Sequence, residues 1–233
     1  MREVIFDTET TGLDPKTGDR MVEIGCVEMV GRVETGNSYH AYYNPERDMP
    51  AAAEAVHGLS AAFLSGKPLF AETADELLEF LGDAPLVAHN AGFDFGFLNS
   101  ELEKIGREPI SMDRMVDTVA IARKKHPGAK LSLDALCTRY GVDRSHRVKH
   151  GALLDAELLA QVYVELTGGR QIGLELAAET GASQSVPIDA GDSGPAKPSM
   201  RQHREARRHS ASEGELARHK EFVAGIKDAI WAR

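Results

Sequence analysis

The sequence predicts an α/β domain on a mixed central sheet flanked by helices, followed by a flexible C-terminal tail. Strand-like runs come first and are then interleaved with helix-like runs, the order expected of a mixed sheet. Turn signals separate these runs at short intervals up to about Gly168. Beyond residue 180 the periodic apolar faces stop and Gly, Ser, Pro and charge take over.

The stretch "VIFDTETTGL" (4–13) starts as a buried strand at Val4, Ile5 and Phe6. Residues 21–30 and 33–43 read as two further strands, joined by a turn at Gly31-Arg32 and closed by Asn44-Pro45. "ETADELLEFLGDA" places Ala74, Leu77, Leu78 and Leu81 on one helical face. "PLVAHN" is a short buried strand. "FDFGFLNSELEKIG" follows as a helix with Phe93, Phe97, Leu98, Leu102 and Ile105 inward and Gly106 at its end. Two helices are expected near 117–125 and 132–140, the second capped by Ser132 and stopped by Gly141. "GALLDAELLAQVYVELTGG" is the last strong helix, ending at Gly168-Gly169. The run from Thr180 to Ser212 reads as a flexible linker. Order is expected to resume near 212, where Leu216, Phe222, Val223, Ile226, Ile230 and Trp231 recur at roughly helical intervals. There is no internal repeat.

At 233 residues the chain can bury one sizeable core with material left over. No apolar run approaches the ~20 residues needed to span a bilayer, and the N-terminus is already a strand, so a cytoplasmic protein without a membrane partner is expected. Cys26 and Cys137 sit in apolar-patterned segments, which suits reduced core thiols better than a disulfide or a zinc site. The net charge of -9 is uneven: residues 1–182 hold 18 Lys and Arg against 29 Asp and Glu, whereas residues 183–233 hold 9 against 7. An acidic body argues against strong independent binding along duplex DNA, where cationic side chains dominate affinity. A nucleic-acid substrate would need cations or a partner to help.

Asp7 and Glu9 lie two apart on a strand, so they project to one side and repel unless something positive lies between them. Asp94 opens one helix, Asp155 lies in the first turns of another, and His150 stands just ahead of that second helix. Each has an ordinary explanation alone: solvated acids in a loop, a carboxylate at a helix start, a surface or core histidine. Asp155 is the exception, because an unpaired carboxylate between Leu154 and Leu158 would be expensive to bury. Four carboxylates brought together can hold two hard divalent cations, Mg²⁺ or Mn²⁺, the arrangement used for in-line phosphoryl displacement.

"FDTETTGLD", "HNAGFDFGFL" and "HGALLDAELL" resemble the three motifs of the DEDD exonuclease superfamily. The position four before the last Asp is Gly151, not the tyrosine of one branch, and His150 favours the histidine branch. Within that branch the chain is most similar, over about residues 2–170, to the proofreading subunits of bacterial replicases, sharing "VHGLS", "KPLFAETADELLEFL" and "LSLDALCTRYG". The resemblance implies a ribonuclease H-like exonuclease domain over 1–170. In it Asp7, Glu9, Asp94 and Asp155 are the metal ligands and His150 is the general base, releasing 5′-mononucleotides from a single-stranded DNA 3′ end. A free-standing exonuclease acting on RNA ends or short oligonucleotides is the alternative. Asp7, Glu9, Thr10, Thr11, Gly12, His57, Asn90, Phe93 and Asp155 are the expected nucleotide contacts, with His57 equally open to a loop-packing role. A family glutamate that contacts the nucleotide is replaced, with Ala52 at its place, and Asp117 reads as a structural cap.

"QIGLEL", within 171–182, resembles the peptide by which replication proteins dock on the sliding clamp, with Gln171, Leu174 and Leu176 as anchors. After the linker, 183–211, the segment 212–233 is similar to the part of these subunits that binds the polymerase catalytic (alpha) subunit, with Leu216, Phe222, Ile226 and Trp231 as contacts. A lone Trp with spaced aliphatics beyond a linker has little core to join in its own chain.

Overall fold

The computed structural model describes residues 1–147, 149–169 and 211–225. Gln171, Leu174, Leu176, Ile226, Ile230 and Trp231, and the expected linker up to residue 210, lie outside the described residues. A five-stranded sheet in the order β3-β2-β1-β4-β5 forms the centre. Its strands are β1 (Arg2–Thr10), β2 (Met21–Val30), β3 (Val33–Tyr42), β4 (Leu86–Ala88) and β5 (Met115–Asp117). β1 to β3 form an antiparallel meander, and β4 and β5 add in parallel beside β1. The β2–β3 hairpin turns through Gly31 and Arg32, both left-handed, as a two-residue loop requires.

The helices are α1 (Ala51–His57), α2 (Ala61–Leu64), α3 (Phe70–Leu81), α4 (Gly92–Lys104), α5 (Thr118–Lys125), α6 (Leu133–Tyr140), α7 (Ala152–Leu166) and α8 (Glu213–Ala224). Strand alternation sorts the core into two layers. Val4, Phe6, Ile24 and Cys26 pack with Leu77 and Leu81 of α3 and Phe95, Leu98 and Leu102 of α4. Ile5, Val27 and Met29 point to the other face and meet Ala156, Leu159 and Ala160 of α7. A third cluster joins α7 to α5 and α6 through Leu158, Val162, Ala122, Leu136 and Cys137. Both cysteines are buried and free, and burial pushes both thiols up.

Most expected elements appear where the sequence places them. Ser132 caps α6 by accepting from the Ala135 amide, and Gly141 ends it in the left-handed conformation. One inward assignment differs: Phe95 is in the core, whereas Phe93 is only half-buried and faces a cleft. No helix among the described residues is long and apolar enough to cross a membrane.

Candidate active site

The C-terminal ends of β1 and β4 open onto a cleft, where ligands gather in α/β sheets. Asp7, Glu9, Asp94, His150 and Asp155 all line it, together with Thr8, His89, Asn90, Phe93 and Arg147. β1 supplies Asp7 and Glu9, whose side chains share the face of the strand that Ile5 turns toward α7. α7 supplies Asp155 from its first turn. The two elements approach closely because Gly25, paired with Asp7 across β1 and β2, has no side chain. A Cβ there would lie 2.2 Å from the Leu153 amide nitrogen.

Asp94 arrives from the first turn of α4. One carboxylate oxygen accepts from the Thr8 amide at 3.1 Å and from Thr8 Oγ1 at 2.7 Å, tying the second motif to the first. His150 Nδ1 stands 3.2 Å from Asp155 Oδ2. Atoms of Glu9, His150 and Asp155 lie within 4.8 Å of one another, close enough to share one ion.

The crowding of acids appears in their protonation. Burial first, then Asp94, Glu9 and Asp155, hold the Asp7 carboxyl well above the usual carboxylate range. Glu9 is pushed up to about 8 by burial, then by Glu23, Asp155 and Asp94. Burial raises Asp94 to about 7, partly opposed by the Thr8 hydrogen bonds. Such a set of oxygen donors, paired with too little positive charge, fits hard divalent cations.

A second cleft of about 570 Å³ adjoins the first, sharing Thr8, Glu9 and Phe93, and lies within the size range of small-molecule sites. Thr10, Thr11, Gly12, Ala52 and His57 line it. His57 Nδ1 accepts from the Leu59 amide at 3.0 Å, so the ring carries its proton on Nε2. That Nε2 is buried without a hydrogen-bond partner. A Cβ at Gly12 would meet the Asp19 carboxylate at 2.2 Å, so the glycine lets its own loop close around that side chain. Thr10 and Thr11 also spend hydroxyl contacts within that loop, on the Gly12 carbonyl and on Asp19. Asn90 is left-handed at φ 65°, and its amide donates to Asp117, which also caps α5 through the Val119 amide.

Two groups at the site were not anticipated from sequence. Glu23, opposite Glu9 on β2, is buried and receives His40 Nε2 at 2.7 Å. Arg147 sets a nearly buried guanidinium against Asp155, Asp134 and His150. The paired charge in "HRVKHGALLD" is its only sequence signal, and a cation in a loop ordinarily reads as solvated.

Residues 4–163 match the exonuclease family. The DNA polymerase III subunit epsilon of Rickettsia felis is 46% identical over 229 residues, covering 97% of each chain. That of Escherichia coli strain K12 is 46% identical over 176 residues, 72% of each. Exonuclease X in complex with 5′ overhanging duplex DNA superposes with a TM-score of 0.56 at 26% identity, over 70% of this chain and 90% of that one. The nuclease domain of 3′hExo, a DEDDh family member bound to rAMP, shares the fold at a TM-score of 0.62 and 17% identity, over 71% of this chain and 91% of that one. The chain belongs to the exonuclease family and, within it, to the epsilon subunits of DNA polymerase III, the 3′→5′ proofreading nucleases of bacterial replicases.

Proposed function

We propose that this chain removes mispaired 3′-terminal nucleotides from DNA by two-metal-ion hydrolysis, with Asp7, Glu9, Asp94 and Asp155 as ligands of Mg²⁺ or Mn²⁺ and His150 as general base. The observation that carries this reading is the meeting of four acids from three separate segments, with the histidine, in one cleft. When bound, the cations lower the pKa of the attacking water and offset charge building on the phosphate and the leaving oxygen.

In this reading His150, half-exposed beside Asp155, accepts the water's proton as the water oxygen bonds to phosphorus. The bond from phosphorus to the 3′-oxygen of the preceding nucleotide breaks, and that oxygen takes a proton from solvent. The products are a 5′-mononucleotide and a strand one residue shorter with a free 3′-OH. The terminal nucleotide occupies the adjoining cleft, where the unpartnered His57 Nε2–H offers a donor to its sugar or phosphate. Phe93, on the wall common to both clefts, offers a ring face to the base. Thr10, Thr11 and Gly12 form the rim beside it and Asn90 the edge of the acidic cleft.

The polymerase is the proposed partner of the tail. In α8, Leu216 and Phe222 are 52% and 72% exposed, apolar groups that a partner groove would cover. Sliding-clamp binding through Gln171, Leu174 and Leu176 is proposed on sequence alone.

Release of mononucleotides from a 3′-mismatched primer tests the reading. Asp7→Ala should abolish it, and equal rates from variant and parent would eliminate the enzyme. His150→Ala should lower turnover by roughly 10²–10⁴-fold while leaving Mn²⁺ affinity near parental. Loss of Mn²⁺ binding in calorimetry would instead make His150 a ligand.

A further inference from the structure

Arg147 lies in the segment between α6 and α7, eight residues before Asp155. Its Nε donates to Asp155 Oδ1 at 2.5 Å and its Nη2 to Oδ2 at 2.7 Å, a two-bond fork across the carboxylate. Nη1 donates to Asp134 Oδ1 at 2.7 Å. Nη2 also stands 2.7 Å from His150 Nδ1. The side chain is only 9% exposed, and its charge draws the Asp7 and Glu9 carboxyls downward against the acids around them. One guanidinium therefore serves as counter-cation to the acidic cleft.

Arg147 holds both oxygens of Asp155, and one oxygen of that carboxylate belongs to the group with Glu9 and His150 that could share an ion. Placing a divalent cation there and keeping the full fork would set two positive centres against one carboxylate. Asp134 is positioned to keep the guanidinium once it lets go of Asp155. It is half-exposed and outside the acidic cleft, and Arg144 Nη1 also reaches it at 3.0 Å. The His150 contact adds a consequence for the base. If Nδ1 accepts from Nη2, the ring proton sits on Nε2, and neither ring nitrogen has a lone pair free for water.

We propose that Arg147 is an exchangeable counter-cation: it competes with the divalent cation for Asp155, and its release onto Asp134 frees both Asp155 and His150 for the reaction. This rests on the metal-binding reading of the site. It makes Arg147 a positioning residue rather than a ligand or a catalyst. The cost is lower metal affinity, and the gain is an acidic cleft that holds its shape when ions are scarce.

Calorimetric titration of the full chain with Mn²⁺ tests it, alongside melting in EDTA and in saturating Mn²⁺. Arg147→Gln removes the competing charge, so Mn²⁺ should bind on the order of tenfold more tightly, the size of effect one neighbouring charge exerts on a carboxylate. Its melting temperature should fall in EDTA and return to the parental value or above in Mn²⁺. Arg147→Lys keeps a charge but cannot fork Asp155 and reach His150 together, so it should bind Mn²⁺ with intermediate affinity. It is the variant to read if Arg147→Gln does not fold. Unchanged or weaker Mn²⁺ binding in the folded variant would overturn the exchange while leaving the metal site standing. A parental chain that binds no Mn²⁺ would overturn both.

Discussion

Glu9 carries three burdens at once: it is nearly buried, it faces Asp94 and Asp155 across the cleft, and Glu23 stands beside it on β2. Its carboxyl rises from an ordinary 4.5 to about 8, and Asp94 rises from 3.8 to about 7. In this interval the folded protein holds protons that the unfolded chain has lost, so its stability falls as pH rises. The contribution is fully present below about pH 4 and is lost as pH passes through 7 and 8. In EDTA, melting temperature should therefore decline from pH 5 to pH 8. Glu9→Gln should flatten the decline, and saturating Mn²⁺ should remove it by stabilising the ionised form. A melting temperature that climbs with pH in EDTA would show that the acids are not crowded as described. The acids and His150 were legible only jointly, as three motifs in the order that resembles a known nuclease superfamily, since alone each residue except Asp155 had an ordinary reading. Arg147 and Glu23 were not: their partners lie across the fold, and nothing local separates them from solvated charges.

At the scale of elements, the site depends on how closely α7 can approach the sheet. Gly25 makes that approach possible, since any side chain would collide with backbone at Leu153 rather than with a movable side-chain tip. Gly25→Ala should push the first turn of α7 outward, carrying Asp155 away from Asp7 and Glu9. Overpacking of this kind costs about 1–3 kcal/mol. The larger effect should fall on Mn²⁺ affinity and turnover, each reduced by at least about tenfold. Leu77→Ala is the control, because it removes buried α3 surface at a cost of about 2–5 kcal/mol without touching the cleft, and it should keep parental metal affinity. If the two variants bind Mn²⁺ alike, the contact at Gly25 does not position Asp155. The long elements were readable from periodicity: α3, α4, α7 and the three-stranded meander each carry enough turns or alternations to fix a buried face. β5 was missed because "MVD" is only half-buried and runs straight into the Asp117 cap of α5, whereas β4, equally short, reads as a wholly apolar run. α1 was missed because "AAAEAVH" has no marked apolar face. Its contribution to the site is positional, bringing His57 to the cleft that adjoins the acids from its last turn.

The whole chain divides into two units, Met1–Ala177 and Ala178–Arg233, and they differ in charge as well as in composition. The first unit contains the catalytic cleft and an acidic surface poorly suited to gripping a phosphate backbone unaided. The second contains α8, started by Ser212 and Glu215 in a reciprocal cap that supports a short helix with no buried residue among those described. A nuclease with weak intrinsic affinity gains most from being tethered where 3′ ends are made, since tethering replaces an encounter from solution by a local concentration in the millimolar range. Removal of residues 183–233 should therefore leave digestion of single-stranded DNA nearly intact, because every cleft residue lies before the cut. It should abolish co-elution with the polymerase catalytic subunit and reduce excision at a mismatched primer held by that polymerase. Within the full chain, Phe222→Asp should reproduce the loss of co-elution without changing free-DNA digestion, since Phe222 is exposed and far in sequence from the acids. A truncated chain that neither folds nor cleaves would refute the division of labour, and one that still co-elutes with the polymerase would move the docking surface onto the nuclease unit itself.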